Sequence, residues 1–214
     1  MKYDKLIIDS SYAKTELCEL GIKYPTDKSP YVKNLHRHPY TAVYDFLFFP
    51  FKNKNISFAE FGVYENQSMK CWREYFPNAF LYAFDNDQKH LTSAINDNLK
   101  DTHYSFVDVA SSHSIQETLT STNTQFDIIL DDASHKLDHQ INIIKNSYSF
   151  IKPGGILIIE DIFRKTPEKK YIDAIGDYEK YFDRITFILC EHLNRDSSGW
   201  DNDKILVMIR NDII

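Results

Sequence analysis

Two runs of apolar residues, each ending in a pair of carboxylates, constrain the fold of this chain more than any other feature. They occupy residues 126–135 (FDIILDDASH) and 153–162 (PGGILIIEDI). An unbroken apolar run of this length is typical of a strand buried on both faces, as in a parallel sheet covered by helices. Between them lies a helical pattern that Pro153 and Gly154 close. The segment therefore predicts a β-α-β unit whose two strands are neighbours.

Predicted strands and helices alternate from Ile56 onward. The additional strands are expected at residues 55–62, 79–85, 103–109, 184–192 and 203–210. The last two are joined by a polar loop that is too short for a helical crossover, so they should form an antiparallel hairpin. The pattern predicts an α/β fold: a doubly wound, Rossmann-like, seven-stranded and mostly parallel sheet with a C-terminal antiparallel hairpin strand.

The first 55 residues precede this alternation and are expected to form an N-terminal helical extension. Residues 1–24 have an irregular helical pattern, and residues 25–39 hold three prolines and should form a loop. Residues 40–48 have the apolar spacing of an amphipathic helix, with a proline near its start. We therefore expect a single domain over residues 1–214, with a helical cap at 1–55 and a Rossmann-like core at 56–214.

Composition narrows the classes of function. The chain of 214 residues has a net charge of −6, which does not suit binding to a phosphate backbone. Its three cysteines are widely spaced, which indicates a reducing compartment and argues against a cysteine zinc site. The first residues lack a signal-peptide core, and no run approaches the roughly 20 apolar residues that span a bilayer. We expect a cytoplasmic protein that binds neither nucleic acid nor membrane.

The two acidic doublets place four carboxylates at the carboxyl edge of the predicted sheet, where ligands bind in open α/β folds. They are Asp131, Asp132, Glu160 and Asp161. Burying this much negative charge is costly unless a cation neutralises it. One or two carboxylates from each strand could share a hard cation such as Mg²⁺. Alternatively, these side chains cap helices and face solvent. Because successive strand residues point to opposite faces, both members of a doublet reach one ligand only where the strand has ended.

His135 follows Asp132 by three residues and should open the helix after that strand. A neutral imidazole in such a place can accept a proton near pH 7. The alternative for a single histidine is a structural role. His139 lies one turn further on, and we expect it to pack against the site or support it.

The loop after the first core strand contains one glycine, Gly62, where a dinucleotide fingerprint would have GxGxxG. Gly62 allows a sharp turn and a close approach to a ligand, and the helix start beyond it favours a carboxylate or phosphate. Asn66 stands where another glycine is usual, and asparagine also tolerates a left-handed conformation. An ordinary β-α turn would explain the loop equally well.

Acidic residues fall in turn on the ends of the first three core strands. Glu60 lies in the first, Asp85 ends the second and Asp108 ends the third. Asp85 is placed to accept the hydroxyls of a ribose, and Asp108 could accept from an adenine amino group. The alternative is that Asp85 or Asp87 caps the helix after the second strand and that Asp108 caps a helix in the same way. Together, the series indicates a nucleoside site.

In this order, these residues resemble class I S-adenosylmethionine-dependent methyltransferases. More narrowly, they look like the metal-dependent sugar O-methyltransferases of the macrocin and cephamycin type. The similarity covers residues 24–48, 58–85, 131–135, 153–161 and 197–210. In the first of these segments the matching residues are Thr26, Asp27, Lys28, His38, Tyr40 and Tyr44. The chain departs from the pattern at Asn66 and at Ala133, both of which replace a glycine.

The resemblance implies S-adenosylmethionine and Mg²⁺ as cofactors. It implies that Glu60, Gly62 and the loop with Tyr64, Asn66 and Ser68 hold the methionine end, Asp85 the ribose and Asp108 the adenine. Asp131 would lie beside the cofactor or support the strand end. The implied Mg²⁺ ligands are Asp132, Glu160 and Asp161, and the implied general base is His135.

The resulting hypothesis is methyl transfer from S-adenosylmethionine to a hydroxyl of a sugar or a sugar-containing small molecule. The expected partner is a small-molecule acceptor, and a homo-oligomer is possible. Several alternatives stay open. They are a methyltransferase that needs no metal or acts on another small molecule or a nucleic acid, a nicotinamide oxidoreductase, and a catalytically silent binding protein with this fold. The missing GxGxxG weighs against the oxidoreductase.

Overall fold

The structure, a computed structural model, describes residues 3–33, 36–197 and 199–212. Within these ranges the strands are β1 (Asp4–Asp9), β2 (Ser57–Phe61), β3 (Phe80–Asp85), β4 (Thr102–Phe106), β5 (Phe126–Asp131), β6 (Ile151–Ile162), β7 (Phe182–Glu191) and β8 (Lys204–Arg210). The helices are α1 (Glu16–Lys23), α2 (Thr41–Phe48), α3 (Gln67–Tyr75), α4 (Gln88–Asn96), α5 (Ser112–Ser121), α6 (Leu137–Ser147) and α7 (Lys169–Ile175). None of these helices is long and apolar enough to cross a membrane.

The strands form one sheet in the order β1-β7-β8-β6-β5-β2-β3-β4. Every pairing is parallel except those of β8, which runs antiparallel to both β6 and β7. The predicted doubly wound sheet with a reversed hairpin strand is confirmed. The predicted adjacency of the two acidic strands is also confirmed, because β5 and β6 are parallel neighbours.

Helices cover both faces of the sheet, which explains why the central strands are apolar at consecutive positions. In β5, Ile128 and Leu130 pack into the cluster that includes residues of α1 to α4. Phe126 and Ile129 point the other way and pack with residues of α5 to α7. All four side chains are fully buried. This two-sided burial is the physical basis of the unbroken apolar runs in the sequence.

The N-terminal segment differs from the sequence prediction. The helical interpretation of residues 1–24 is wrong at Asp4–Asp9, which form the edge strand β1 and raise the strand number from seven to eight. This strand pairs in parallel with β7, so that Ile7 lies opposite Leu189. The hydrogen-bonding partner lies about 180 residues away in the sequence, so the local periodicity does not report it. The helical prediction holds further on, at α1 and α2.

The topology brings the carboxyl ends of β2, β3, β4, β5 and β6 to one edge, because these five strands are mutually parallel. Strand order reverses beside β2, which has β3 on one side and β5 on the other. A crevice opens at such a switch point, and ligands of doubly wound folds bind there.

Candidate active site

The loop after β2 is built from residues in left-handed backbone conformations. Gly62 has a φ of +101°, Tyr64 has a φ of 46° and Asn66 a φ of 64°. The expectation that asparagine can replace a glycine in this turn is confirmed, since Asn66 precedes α3 in that conformation. Its side chain is buried, donates to Asp97 at 2.9 Å and accepts from Tyr104 at 3.1 Å. These bonds fix the turn that a second glycine would otherwise form.

Asp85 at the end of β3 holds the loop from the side. Its carboxylate accepts from the backbone N–H of Val63 at 2.8 Å and of Tyr64 at 3.3 Å. It also accepts from the backbone of Asp87 at 2.8 Å. Asp87, rather than Asp85, caps α4, because its carboxylate accepts from Lys89 N–H at 2.7 Å.

A cavity of about 590 Å³ lies over this loop, with the ends of β3 and β5 beside it. Six of the predicted site residues line it: Gly62, Tyr64, Ser68, Asp85, Asp132 and His135. Further lining residues that the sequence did not single out for the site include Asp27, His36, Gln67, Asn86 and His90. The wall is therefore rich in polar and titratable side chains.

A smaller slot of about 90 Å³ shares Gly62 and Asp85 with this cavity. Its other walls are mainly apolar and include Phe84, Val107 and Val109. A small slot with mainly apolar walls beside a polar cavity has a polarity that suits a heteroaromatic ring.

Asp108 lies between two residues of that slot, but its carboxylate is used locally. It accepts from the backbone N–H of Ala110 at 3.0 Å, in the turn that leads to α5. Ser111, and not Asp108, caps α5, because its side chain accepts from Ser114 N–H at 3.2 Å. Asp108 itself lines neither the cavity nor the slot.

Glu60 lies beneath the cavity and is fully buried. Its Oε2 accepts from Trp72 Nε1 at 2.8 Å and from Ser68 Oγ at 3.0 Å. Its Oε1 has no hydrogen-bond partner among the described residues and lies 3.6 Å from Lys28 Nζ. Burial raises the pKa of Glu60 to about 7, against the opposing effect of Lys28.

A bulge at the end of β6 separates the second acidic doublet. The register of β6 against β8 shifts between Ile159 and Ile162, and Asp161 has a φ of 57°. A bulge re-aims the side chain it carries. Asp161 Oδ1 accepts from Tyr40 at 2.7 Å, and its Oδ2 lies 3.4 Å from His135 Nδ1.

The two side chains of the first doublet also have different surroundings, because β5 ends at Asp131. Asp131 is buried and accepts from the backbone N–H of Ala133 at 3.1 Å, and burial raises its pKa to about 7. Asp132 lies beyond the strand and lines the cavity. His135 has a φ of 57°, which turns the chain just before α6 begins. Ala133 has no positive φ, so the loss of a glycine there causes no strain.

Asp132, His135 and Asp161 together form the candidate metal centre of the described residues. Each offers one ligand atom, and these atoms lie within 4.8 Å of one another. Two carboxylates and an imidazole are a donor set that suits a divalent cation. The residues present therefore fit a metal ion, although the set is not the one that the sequence resemblance implied.

Glu160 is oriented differently from the other implied metal ligands. It is buried, and it accepts from Lys28 at 2.6 Å through Oε2 and from Tyr44 at 2.5 Å through Oε1. Burial raises the pKa of Glu160 well above its ordinary value, with Lys28 opposing the shift. Both of its oxygens are thus engaged by the N-terminal segment.

The N-terminal segment brings side chains to the site to which the sequence analysis gave no role. Lys28, His38, Tyr40 and Tyr44 all contact the carboxylates at the ends of β5 and β6. The match of these residues to the family pattern indicated that they matter. No local sequence pattern predicted that they contact the carboxylates.

His38 connects Asp161 to a second buried carboxylate. Its Nε2 lies 3.4 Å from Asp161 Oδ1 and its Nδ1 lies 3.0 Å from Asp203 Oδ1. Asp203 also accepts from Arg195 at 2.8 Å and from Ser197 at 3.0 Å. Burial lowers the pKa of His38, but the carboxylates around it outweigh burial and raise it overall. The loop before β8 is thereby tied to the candidate metal centre.

Comparisons with known proteins show which proteins this chain is similar to. Residues 60–162 match a family whose description is "Methyltransferase domain". The expected resemblance is confirmed. The matched segment runs from Glu60 to the end of β6, and so contains every predicted site residue.

Similar proteins are sugar O-methyltransferases by name. One, 8-demethyl-8-alpha-L-rhamnosyl tetracenomycin-C 2'-O-methyltransferase of Streptomyces olivaceus, is 26% identical over 134 residues, which are 58% of this chain and 33% of that protein. Mycinamicin VI 2''-O-methyltransferase of Micromonospora griseorubida is 25% identical over 162 residues, or 70% of this chain and 37% of that protein. The chain thus spans about a third of the length of the curated relatives it matches.

Among solved structures, the chain resembles the MycE methyltransferase from the mycinamycin biosynthetic pathway in complex with Mg, SAH and mycinamycin VI. The TM-score is 0.68 at 21% identity, over 93% of this chain and 55% of that chain. At this identity the likeness shows the fold alone, which is Rossmann-like.

Proposed function

We propose that this protein is a Mg²⁺-dependent O-methyltransferase that uses S-adenosylmethionine and a sugar or sugar-containing small molecule as acceptor. The observation that carries the proposal is that the cavity at the switch point is lined by Asp132 and His135, two members of the candidate metal centre. A nucleoside cofactor and a metal-bound acceptor would thus share one cavity. The names of the related proteins support the sugar as acceptor.

The residues around the loop after β2 fit the two ends of the cofactor. Gly62, Tyr64 and Ser68 line the cavity wall and would hold the methionine end, with Glu60 and Asn66 beneath them.

At the other end, Asp85 would accept from the ribose, and the apolar slot would enclose the adenine. Asp108 would contribute from the turn beside that slot, and Asp131 would support the strand end.

For the metal we propose Asp132 and Asp161 as the carboxylate ligands, since each places an oxygen in the candidate metal centre. When bound, Mg²⁺ would lower the pKa of an acceptor hydroxyl and S-adenosylmethionine would provide the methyl group. Tyr40 fixes Asp161 by donating to one of its oxygens at 2.7 Å. Asp132 directly follows β5 and Asp161 lies near the end of the neighbouring strand β6, so both carboxylates lie at the same edge of the sheet.

His135 is the proposed general base. Its Nδ1 lies beside the Asp161 carboxylate, which favours the tautomer with the proton on Nδ1 and leaves Nε2 to accept a proton. His135 lines the cavity and is partly exposed, so an acceptor can reach it. The competing interpretation is that His135 is a metal ligand, because a ring nitrogen of His135 lies in the candidate metal centre with Asp132 and Asp161.

Calorimetric titration tests the proposal directly. S-adenosylhomocysteine should bind at micromolar concentration, while NAD, the control for a nicotinamide enzyme, should not bind. Binding would justify a screen of glycosides and nucleotide sugars for methyl transfer with and without EDTA. If S-adenosylhomocysteine does not bind with or without Mg²⁺, the enzyme proposal fails and a binding role for the fold replaces it.

A further inference from the structure

Strand β1 forms one edge of the sheet, and its outer side has no partner strand in the part of the chain that the structure describes. Its inner side pairs in parallel with β7 over all six residues. Two of its apolar side chains are exposed, Ile7 to 72% and Leu6 to 49%. An edge strand presents a row of unpaired N–H and C=O groups to which another strand can pair. The outer side of β1 is therefore suited to the addition of a strand.

The pairing with β7 shows which backbone groups of β1 point outward. Just beyond the strand, Ser10 N–H donates to Glu191 O at 2.9 Å, so the backbone of Ser10 faces β7. Along a strand, successive residues direct their backbone groups to alternate sides. It follows that Lys5, Ile7 and Asp9 direct their N–H and C=O groups to the free edge.

We propose that β1 pairs antiparallel with β1 of a second copy of this chain, about a two-fold axis at Ile7. The two eight-stranded sheets then form one continuous sheet. In this register Ile7 lies opposite the partner's Ile7, and Lys5 lies opposite the partner's Asp9. A two-fold interface of this kind uses the same surface on both subunits. The dimer is independent of the proposed function.

The register follows from the backbone and from the charges. The three outward-facing residues Lys5, Ile7 and Asp9 pair among themselves, so every free N–H and C=O group of the set finds a partner. Two-fold symmetry repeats the pair of Lys5 with the partner's Asp9, and opposite charges that lie directly opposite each other stabilise a strand pair. A shift by two residues in either direction would instead place Ile7 opposite a charged side chain. The sequence of β1 is thus complementary to itself.

Both charged side chains are accessible to a second copy. The Lys5 side chain is 57% exposed and forms an ion pair with Glu168, next to the start of α7. Asp9 is exposed, and its hydrogen bonds from Ser11 use Oδ1 alone. Its Oδ2 can therefore accept from the partner's Lys5 without breaking those bonds.

The size of the contact predicts how tightly the two copies bind. Stable interfaces bury about 1,200–2,000 Å² in total, and one pair of six-residue strands buries less. We therefore expect a reversible dimer with a Kd in the micromolar range. Because the ion pairs lie at the surface, added salt should weaken it.

Sedimentation velocity of the full chain from about 1 µM to about 500 µM tests the dimer, since this range brackets a micromolar Kd. The wild type should change from monomer to dimer. I7K places two like charges opposite each other and should weaken the dimer at least about tenfold. F46K is the matched control, because Phe46 is 75% exposed but lies on α2. A wild-type monomer throughout, or an equal loss in I7K and F46K, would overturn the proposal.

A charge exchange tests the register and covers the case in which I7K does not fold. K5D and D9K each place like charges opposite each other and should each weaken the dimer. The double variant K5D/D9K restores opposite charges and should recover most of the wild-type affinity. Circular dichroism of each variant checks that it is folded. A double variant as weak as the single ones would overturn the proposed pairing, because contacts within one protomer do not explain recovery.

Discussion

A Cβ atom added to Gly62 would lie 2.1 Å from the backbone oxygen of Asp132. The loops after β2 and β5 therefore touch through their backbones, and the N–H of Asp132 donates to Phe61 O at 2.8 Å. A side chain at position 62 would therefore clash with the proposed metal-binding loop. The two loops are thus held together directly by their backbones.

The substitution G62A should break this contact. It combines a backbone clash with a φ of +101°, and we expect it to lower stability and to abolish binding of S-adenosylhomocysteine. The control is G154A, since Gly154 has a φ of +74° and no atom within 4 Å of an added Cβ. G154A isolates the cost of the left-handed conformation, about 1–2 kcal/mol. Chemical unfolding should show a larger loss for G62A, and equal losses would refute the close contact.

The variant H135A should reduce turnover by roughly 10² to 10⁴ while cofactor binding is kept, because general-base catalysis contributes about that much. H139A is the matched control from the same region: His139 is partly buried and pairs with Ser134 at 2.8 Å. It should lose far less activity. Unchanged turnover in H135A would remove His135 from the mechanism. A parallel loss of Mn²⁺ affinity would make it a metal ligand instead.

The variant D161N should abolish the metal dependence of both activity and stability, because it removes a ligand charge from the proposed centre. Calorimetric titration with Mn²⁺ measures the affinity directly. D138N is the control, since the Asp138 side chain is 82% exposed and lies on the nearby helix α6. If the wild type is fully active in excess EDTA, the metal assignment is wrong.

The pH dependence of stability should reveal the raised pKa of the Glu60 carboxyl group. Its pKa is raised by burial from 4.5 to about 7 in the folded protein. A carboxyl group with a raised pKa stabilises the folded state below about pH 4.5, and this contribution is lost as pH rises to about 7. The loss is on the order of 3 kcal/mol, at about 1.4 kcal/mol per pKa unit. Urea unfolding of E60Q in EDTA should show a flatter pH profile than the wild type, and an identical slope would contradict the assignment.

Local sequence patterns were sufficient for the central sheet and its ligand-binding edge. The unbroken apolar run of β5 reports burial on both faces, and the short polar loop before β8 reports a hairpin. The same patterns placed Gly62, Asp85 and Asp132 at strand ends that line one cavity. Asn66 was recognisable because asparagine is among the few residues other than glycine that readily adopt its left-handed conformation.

Local patterns did not reveal the partners of the acidic doublets. Lys28 contacts Asp132 and Glu160 across separations of 104 and 132 residues. Nothing near Lys28 in the sequence indicates that its ammonium will be buried. The bulge that turns Asp161 away from Glu160 arises from the pairing of β6 with β8, which lies more than 40 residues further along the chain.

The sequence by itself determined the doubly wound sheet, its reversed hairpin strand and the edge at which the acidic residues collect. Periodicity and turn chemistry are local, so they can be read from neighbouring residues. The tertiary structure decided that β1 joins the sheet, that Lys28 and Tyr44 engage Glu160, and that Asp132 and Asp161 face His135. Those outcomes depend on charges and hydrogen bonds that meet only when distant segments pack together, because buried carboxylates take whichever partners the folded chain brings to them.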